Sequence, residues 1–332
     1  MTQFFNRLWY QGAAIWARVL LTPFSWLYAA VCCLRRVYYH YFYQPPHFAV
    51  PIIVVGNLSV GGTGKTPLTL GLIHLLQQNQ VRVGVIARGY RSQAEYAPQP
   101  ILIHSDHSAK AVGDEALLLY QSTGVPIAVH HQRVKAAQCL LQAHPDLQVI
   151  LSDDGLQHLK LPRNLEIIVI DGERQLGNGA LLPAGPLREP ASRLAGADFV
   201  LYSGVEFRLE PLNVLPLDPE KSAQSLDFLK GKTVHAVAGI GHPERFFASL
   251  EALGAKVMPH VFPDHHAFCA ADFKGFAKEL IVMTAKDAVK CTDEGLSEAY
   301  YLNTQVKLSP QFADAFLQKV RYIMRLEQKR SS

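Results

Sequence analysis

Apolar positions fall along the chain in three successive patterns. Up to about residue 43 they run almost unbroken, interleaved only with Arg7, Arg18, Arg35 and Arg36 among charged residues. The longest uncharged run there, Val19 to Leu34, covers 16 residues with Pro23 inside it, short of the ~20 apolar residues that a crossing helix needs. The pattern predicts a hydrophobic N-terminal helical segment lying at an interface rather than crossing it, or else a helix hairpin packed on the rest of the protein. Pro45-Pro46 marks a stiff boundary behind it. From Val50 the pattern changes to short apolar runs alternating with amphipathic stretches. Pro51–Val55, Val81–Ala87, Ile127–Val129, Val149–Leu151, Leu165–Ile170 and Phe199–Tyr202 read as buried strands, and Leu68–Gln78, Glu115–Gln121 and Gln132–Ala143 as helices. Such alternation predicts an α/β fold with a parallel sheet flanked by helices, whose ligands gather at the carboxyl ends of the strands.

A stretch with Pro211, Pro216 and Pro219 interrupts this rhythm. It resumes with strands at Thr233–Ala238, Lys256–Val261 and Leu280–Thr284, a helix near Glu244–Leu253 and a terminal helix near Gln311–Leu326. At ~100–200 residues per domain the chain has room for two globular parts. The expected division is residues 1–43 as the N-terminal segment, 44–215 as the main domain and 216–332 as a second, smaller α/β domain.

Charge sharpens the picture of the front end. Eight basic residues precede the first acid, Glu95, so the remainder carries 24 basic residues against 28 acidic ones. All three tryptophans and 13 of the 32 aromatic residues lie within residues 1–43. Arginine and tryptophan without acids suit a surface of anionic lipid phosphates. The basic residues are too sparse for a nucleic-acid patch, so no nucleic acid is expected, and no obligate protein partner is evident. Arg18 interrupts the apolar region, which argues against a cleaved signal peptide. Five cysteines without a CxxC pair read as reduced structural thiols.

The densest chemistry follows the first strand. Gly56-Asn57-Leu58-Ser59-Val60-Gly61-Gly62-Thr63-Gly64-Lys65-Thr66 leads into a helix whose first turn tolerates Pro67. Glycines let backbone N–H groups of Gly61, Gly62, Thr63 and Gly64 converge on phosphate oxygens, Lys65 reaches the transferred phosphate and Thr66 offers a hydroxyl to magnesium. The strict GxxxxGK[ST] pattern wants glycine at Ser59, so the match is to a P-loop NTPase-like loop carried by its GK[ST] end. A P-loop needs a carboxylate on the metal side at a neighbouring strand end. Asp153-Asp154 has that form and so does Asp171, the adjacent pair being favoured; either could be a turn acid.

Asp114 opens a helix, which fits an N-cap or a proton acceptor. The cluster Phe262-Pro263-Asp264-His265-His266 suits a proton relay, orientation of a base, or a surface loop, and zinc fits it poorly without a cysteine pair. Pro183 to Pro190 must be a shaped loop carrying Arg188, able to grip a phosphate or simply solvated. Arg88 lies just past a strand end, where a ligand contact is plausible.

Taken in order, GNLSVGGTGKTP, ARGY, VGDE, DDGLQH, PAGPLREP, AGIGHPERFF, FPDHHAF and MTAKDAVK resemble the motif set of the tetraacyldisaccharide 4'-kinases, from Gly56 to Lys290, and the hydrophobic front end resembles that family's membrane-associated helix. The resemblance implies transfer of the ATP γ-phosphate to the 4'-hydroxyl of tetraacyldisaccharide 1-phosphate, a lipid A precursor, on the cytoplasmic face of a bacterial inner membrane. It further implies that Lys65 and Thr66 hold ATP and Mg2+, Asp153 and Asp154 sit on the metal side, and Asp114 acts as base with His265, or failing that His266, as partner. Arg188 would belong to the disaccharide-binding region; Arg88, from its place past a strand end, is expected as a second substrate contact. Two other functions are weighed. In a GTPase, Thr284-Ala285-Lys286-Asp287 would have to serve as the guanine-reading NKxD element, and its spacing fails. A membrane-bound ATPase adaptor would hydrolyse ATP without modifying a lipid.

Overall fold

The structure is a computed structural model that describes residues 2–12, 15–291 and 295–331. Of the expected segments, residues 1, 13 and 14 at the front and 292–294 and 332 at the back lie outside it. Strands β1 (Ile52–Asn57), β2 (Val83–Ala87), β4 (Ile127–Val129), β5 (Val149–Ser152), β6 (Leu165–Asp171) and β7 (Phe199–Ser203) form where apolar runs predicted them, and β3 (Ile101–Leu102) adds an antiparallel edge to β4. β1 is buried on both faces. Ile53 and Val55 join a core with Leu68, Leu72 and Leu76 of α3 (Lys65–Gln78), Val112 of the short α4 (Ala109–Val112), Leu117 of α5 (Asp114–Thr123) and Phe316 of the terminal helix, while Ile52 and Val54 face Ala136, Ala137 and Leu140 of α6 (Arg133–Ala143). A strand buried on both sides reads as a continuous apolar run because neither set of alternate side chains meets water.

The proline-bearing stretch expected to interrupt the fold is instead β8 (Phe207–Pro216), parallel to β7 and paired antiparallel over its length with β12 (Ala299–Leu308). Pro211 is accommodated because the register slips between Asn303 and Thr304, leaving Leu212 as an extra residue; such a bulge absorbs the missing donor. Beyond β12 come β11 (Ile281–Thr284), which leads into the short α8 (Ala285–Ala288), then β9 (Thr233–Ala238) and β10 (Lys256–Val261), all three strands parallel to β12, with α7 (Pro243–Ala252) packed on β9 and β10. One twelve-stranded sheet therefore runs through both expected units, in the order β10-β9-β11-β12-β8-β7-β6-β1-β5-β2-β4-β3. The terminal helix, α9 (Pro310–Ser331), expected in the smaller unit, returns to the first core through Phe312, Phe316, Val320 and Ile323.

At the front, α1 (Thr2–Tyr10) is followed by α2 (Ile15–Phe42), a 28-residue helix. Arg35 and Arg36 do not end the helix, so it is longer than the uncharged run from Val19 to Leu34, and by length and composition alone it is sufficient to cross a membrane. One stripe of α2 docks on the protein. Ser25 Oγ donates to Leu181 O at 2.9 Å, Tyr28 Oη to Arg188 O at 3.0 Å and Arg35 Nη2 to Gln157 O at 3.2 Å. The remaining faces are bare, with Trp16, Trp26, Leu27, Leu34 and Phe42 exposed.

Two glycines set the approach of neighbouring loops. Gly89, after β2, has φ +68°, and a Cβ there would lie 2.4 Å from Val129 Cγ1; one on Gly113, before α5, would lie 3.1 Å from Gly89 Cα. Backbone thus packs on backbone, bringing Arg88 and Asp114 to one side of the sheet. Gly89→Ala should destabilise the protein by roughly 1–3 kcal/mol, read as a lower urea midpoint at unchanged slope.

Candidate active site

Because the parallel strands of each half carry their loops at their carboxyl ends, the antiparallel β8–β12 junction turns two sets of loops toward each other. They enclose a cleft of about 1300 Å³ lined by the P-loop, Arg88, Asp114, Asp153, Asp154 and Arg188 from one half and Gly241, Arg245, Asp264, His265 and Lys286 from the other. In the P-loop, Gly64 takes φ 90° as the N-cap of α3, a left-handed conformation that glycine adopts without cost. Lys65 Nζ donates to Asn57 Oδ1 at 3.1 Å and lies 3.6 Å from Asp154 Oδ1. The Pro183–Pro190 loop is stitched alongside. Val60 N donates to Pro186 O at 2.9 Å and Arg188 N to Leu58 O at 2.6 Å, which leaves Arg188 Nη1 3.7 Å from Asp154 Oδ2. Arg188, Asp154 and Lys65 form one chain of charge beside the phosphate loop.

Asp153 and Asp154 close β5 beneath this loop. Asp153 Oδ1 accepts a bond from Thr69 Oγ1 at 2.8 Å, and Asp153 O accepts one from Arg133 Nη2 at 3.0 Å. Burial, with the Glu115 charge added, pushes the Asp153 carboxyl above its ordinary range. Burial also pulls Asp154 upward, but Lys65, Arg188 and Arg133 outweigh it and hold that carboxyl below the ordinary range. The site fits Mg2+ on its own chemistry. Asp154 Oδ1 is buried without a hydrogen-bond partner, Asp153 stands beside it, and Thr66 opens the facing helix. Magnesium is commonly held by one or two carboxylates and a hydroxyl, with phosphate and water completing its shell. The rival Asp171 does other work: Oδ1 accepts from the backbone N–H groups of Glu173 and Arg174 at 3.0 Å each and from Arg245 Nη2 at 3.0 Å.

On the P-loop side of the cleft, Asp114 is buried at the start of α5, and its Oδ2 meets His265 Nδ1 of the opposite half at 2.8 Å. Burial raises the Asp114 carboxyl, but the bond to His265 and the charge of Lys286 prevail and hold it below the ordinary range. His266 turns away and pairs with Asp272 at 2.9 Å, so of the two histidines it is His265 that meets Asp114. Arg88 lines the cleft with its Nε 2.8 Å from Glu95 Oε1 and its guanidinium over the Tyr90 ring.

Several polar residues of this site carry no role that the sequence alone assigns. Asn57, Gln157, Arg245 and Lys286 lie within the ordered motifs but have no role assigned from sequence, and Thr69 and Arg133 lie outside them; Thr69, Arg133, Gln157, Arg245 and Lys286 each make a contact with a residue distant in sequence. Thr69 alone carries a trace, three positions past Thr66 and so on the same side of α3.

His158, also lining the cleft, is held neutral: burial, with Arg133 and Arg88 nearby, pushes its imidazole down to about 3 from an ordinary 6.5. The unfolded chain takes up this proton below about pH 6.5 and the folded one only near pH 3, so stability falls as pH drops through that window. His158→Gln should therefore lose less thermal stability than the parent between about pH 7 and about pH 5, as calorimetry would read directly.

The profile of the LpxK family, described as tetraacyldisaccharide-1-P 4'-kinase, matches residues 17–321. A tetraacyldisaccharide 4'-kinase of Methylobacillus flagellatus is 41% identical over 334 aligned positions, covering 98% of each chain. One of Legionella pneumophila is 42% identical over 322, covering 95% of this chain and 97% of its own. Among solved structures, LpxK of Aquifex aeolicus in complex with ATP superposes with a TM-score of 0.75 at 30% identity, covering 93% of this chain and 99% of that one. With the P-loop cleft, the ordered motifs and this end-to-end similarity, the chain belongs to the tetraacyldisaccharide-1-P 4'-kinase family.

Proposed function

We propose that this protein transfers the γ-phosphate of ATP to the 4'-hydroxyl of tetraacyldisaccharide 1-phosphate in lipid A synthesis, working at the cytoplasmic face of a bacterial inner membrane. The observation that carries the reading is that one cleft is lined both by Lys65 with the phosphate loop and by the hydrogen-bonded Asp114–His265 pair. ATP lays its phosphates on the N–H groups of Gly61 to Thr66. Lys65 follows the γ-phosphate, exchanging its bond to Asn57 for one to phosphate oxygen. Thr66, Asp153 and Asp154 would hold Mg2+, which when bound offsets the charge shared by the β- and γ-phosphates.

The acceptor hydroxyl stands between Asp114 and the γ-phosphorus. As its oxygen bonds to phosphorus, the bond from phosphorus to the bridging oxygen breaks, ADP departs and Asp114 takes the hydroxyl proton. A carboxylate held below its ordinary range is a weak base, yet a loose transition state releases that proton late, so orientation of the hydroxyl counts for more than basicity. His265 fixes the carboxylate in that orientation. Arg188 and Arg88 hold the polar headgroup. The bare faces of α2 rest in the apolar layer while its docked stripe grips the catalytic part.

Radiolabel from γ-labelled ATP should enter the lipid fraction when the protein is given tetraacyldisaccharide 1-phosphate in detergent micelles with magnesium; ATP hydrolysis without labelled lipid would reject the kinase reading. Lys65→Ala should abolish labelling, and Asp114→Ala should lower kcat by roughly 10²–10⁴-fold with KM for ATP little changed. For the membrane, replacing Trp26, Leu27 and Leu34 together by serine should release the protein from vesicles containing anionic lipid. Sedimentation as strong as the parent's would refute the contact.

A further inference from the structure

Lys286 follows β11 in the second half, yet its ammonium reaches into the first. Nζ lies 3.0 Å from Glu115 Oε1 and 3.8 Å from Asp114 Oδ2, both on α5, and 3.3 Å from Asp264 Oδ1, in the loop after β10. Asp264 is also the residue before His265, and its Oδ2 stands 3.6 Å from His265 Nε2. The same loop is held on its far side by Arg91 Nη1, which donates to Asp264 O at 3.4 Å, and the Tyr90 ring meets His265 edge-on. Lys290, one turn on, is paired with Asp287 at 2.7 Å. Lys286 is thus a cation set among three carboxylates from two separate elements.

We infer that Lys286 is a positioning residue for phosphoryl transfer: it ties the Asp264-His265 loop of one half to the amino end of α5 in the other, and so holds His265 against Asp114. Three carboxylates brought this close repel one another unless a cation stands between them. Lys286 has three N–H groups and three acids facing it, a disposition that directs it to the carboxylates rather than to a phosphate of the nucleotide. Burial pulls its ammonium down, but Glu115, Asp114 and Asp264 together hold it above its ordinary range, so it stays charged. Its charge in turn helps keep Asp114 ionised.

The inference rests on Asp114 being the proton acceptor, and the test separates the two. Lipid phosphorylation would be followed against pH for the full chain and for Lys286→Met, Lys286→Arg, Asp264→Asn and Asp114→Ala, with urea midpoints to verify folding. Lys286→Met should lower kcat by about tenfold or more, leave KM for ATP unchanged, and move the acid limb of the kcat profile to higher pH, because the carboxylate regains its proton more readily without the cation. Lys286→Arg should restore the limb. Asp264→Asn, which cuts the same tie from the loop side, should lower kcat without raising the limb and serves if Lys286→Met fails to fold. An unmoved limb with kcat intact would overturn the inference, as would a loss confined to ATP affinity, the mark of a phosphate ligand. If Asp114→Ala keeps its kcat, the proton-acceptor reading falls and the positioning role falls with it; if Asp114→Ala is inactive while Lys286→Met matches the parent, only the positioning role falls.

Discussion

The antiparallel β8–β12 pair is the constraint on which the site depends. Loops of parallel strands can present side chains at one sheet edge only, so a single parallel sheet offers one wall to a ligand. Reversing strand direction once, and bending the sheet at the bulge opposite Asn303 and Thr304, gives a second wall from the same hydrogen-bonded ladder. The P-loop, Asp114, Asp153 and Asp154 stand on one wall, and His265 and Lys286 on the other. Neither wall holds a complete set of groups, so the chemistry requires the geometry of the junction.

Charge within the cleft is arranged by alternation. Lys65 and Arg188 flank Asp154, Arg133 braces Asp153 from below, and Lys286 sits among Asp114, Glu115 and Asp264. A buried ion without a counter-charge costs several kcal/mol, which explains why each acid here has a cation or a hydroxyl within reach. The outcome differs from place to place: burial wins at Asp153 and His158, cations win at Asp154, and the hydrogen bond with His265 together with the Lys286 charge wins at Asp114.

Much of this was legible in the chain because it is written locally. Strands buried on both faces announce themselves as apolar runs, and the P-loop, the Asp153-Asp154 pair and the FPDHH cluster are contiguous. β8 was hidden because its alternate residues are only half-buried and its prolines imitate a linker. The return of α9 to the first core was hidden because amphipathicity identifies a helix face without its partner. At the site the choice between His265 and His266 needed three dimensions, since adjacent residues point apart and only the fold shows that Asp272 claims one of them. The roles of Thr69 and Lys286 stay hidden in the sequence for the same reason, since each has a carboxylate partner far along the chain.

The docked stripe of α2 reaches further than attachment. Tyr28 holds the carbonyl of Arg188, and Arg35 holds that of Gln157, whose side chain bonds in turn to Asn57 at the end of β1. The helix is therefore two hydrogen bonds away from the phosphate loop, so if its bare faces rest in an apolar layer, as proposed, the height of the cleft above that layer is set by the molecule itself. On the proposed reading, a substrate with four acyl chains never has to leave that layer: it arrives by lateral diffusion at a reaction centre already set to the depth of its headgroup, and the search is two-dimensional.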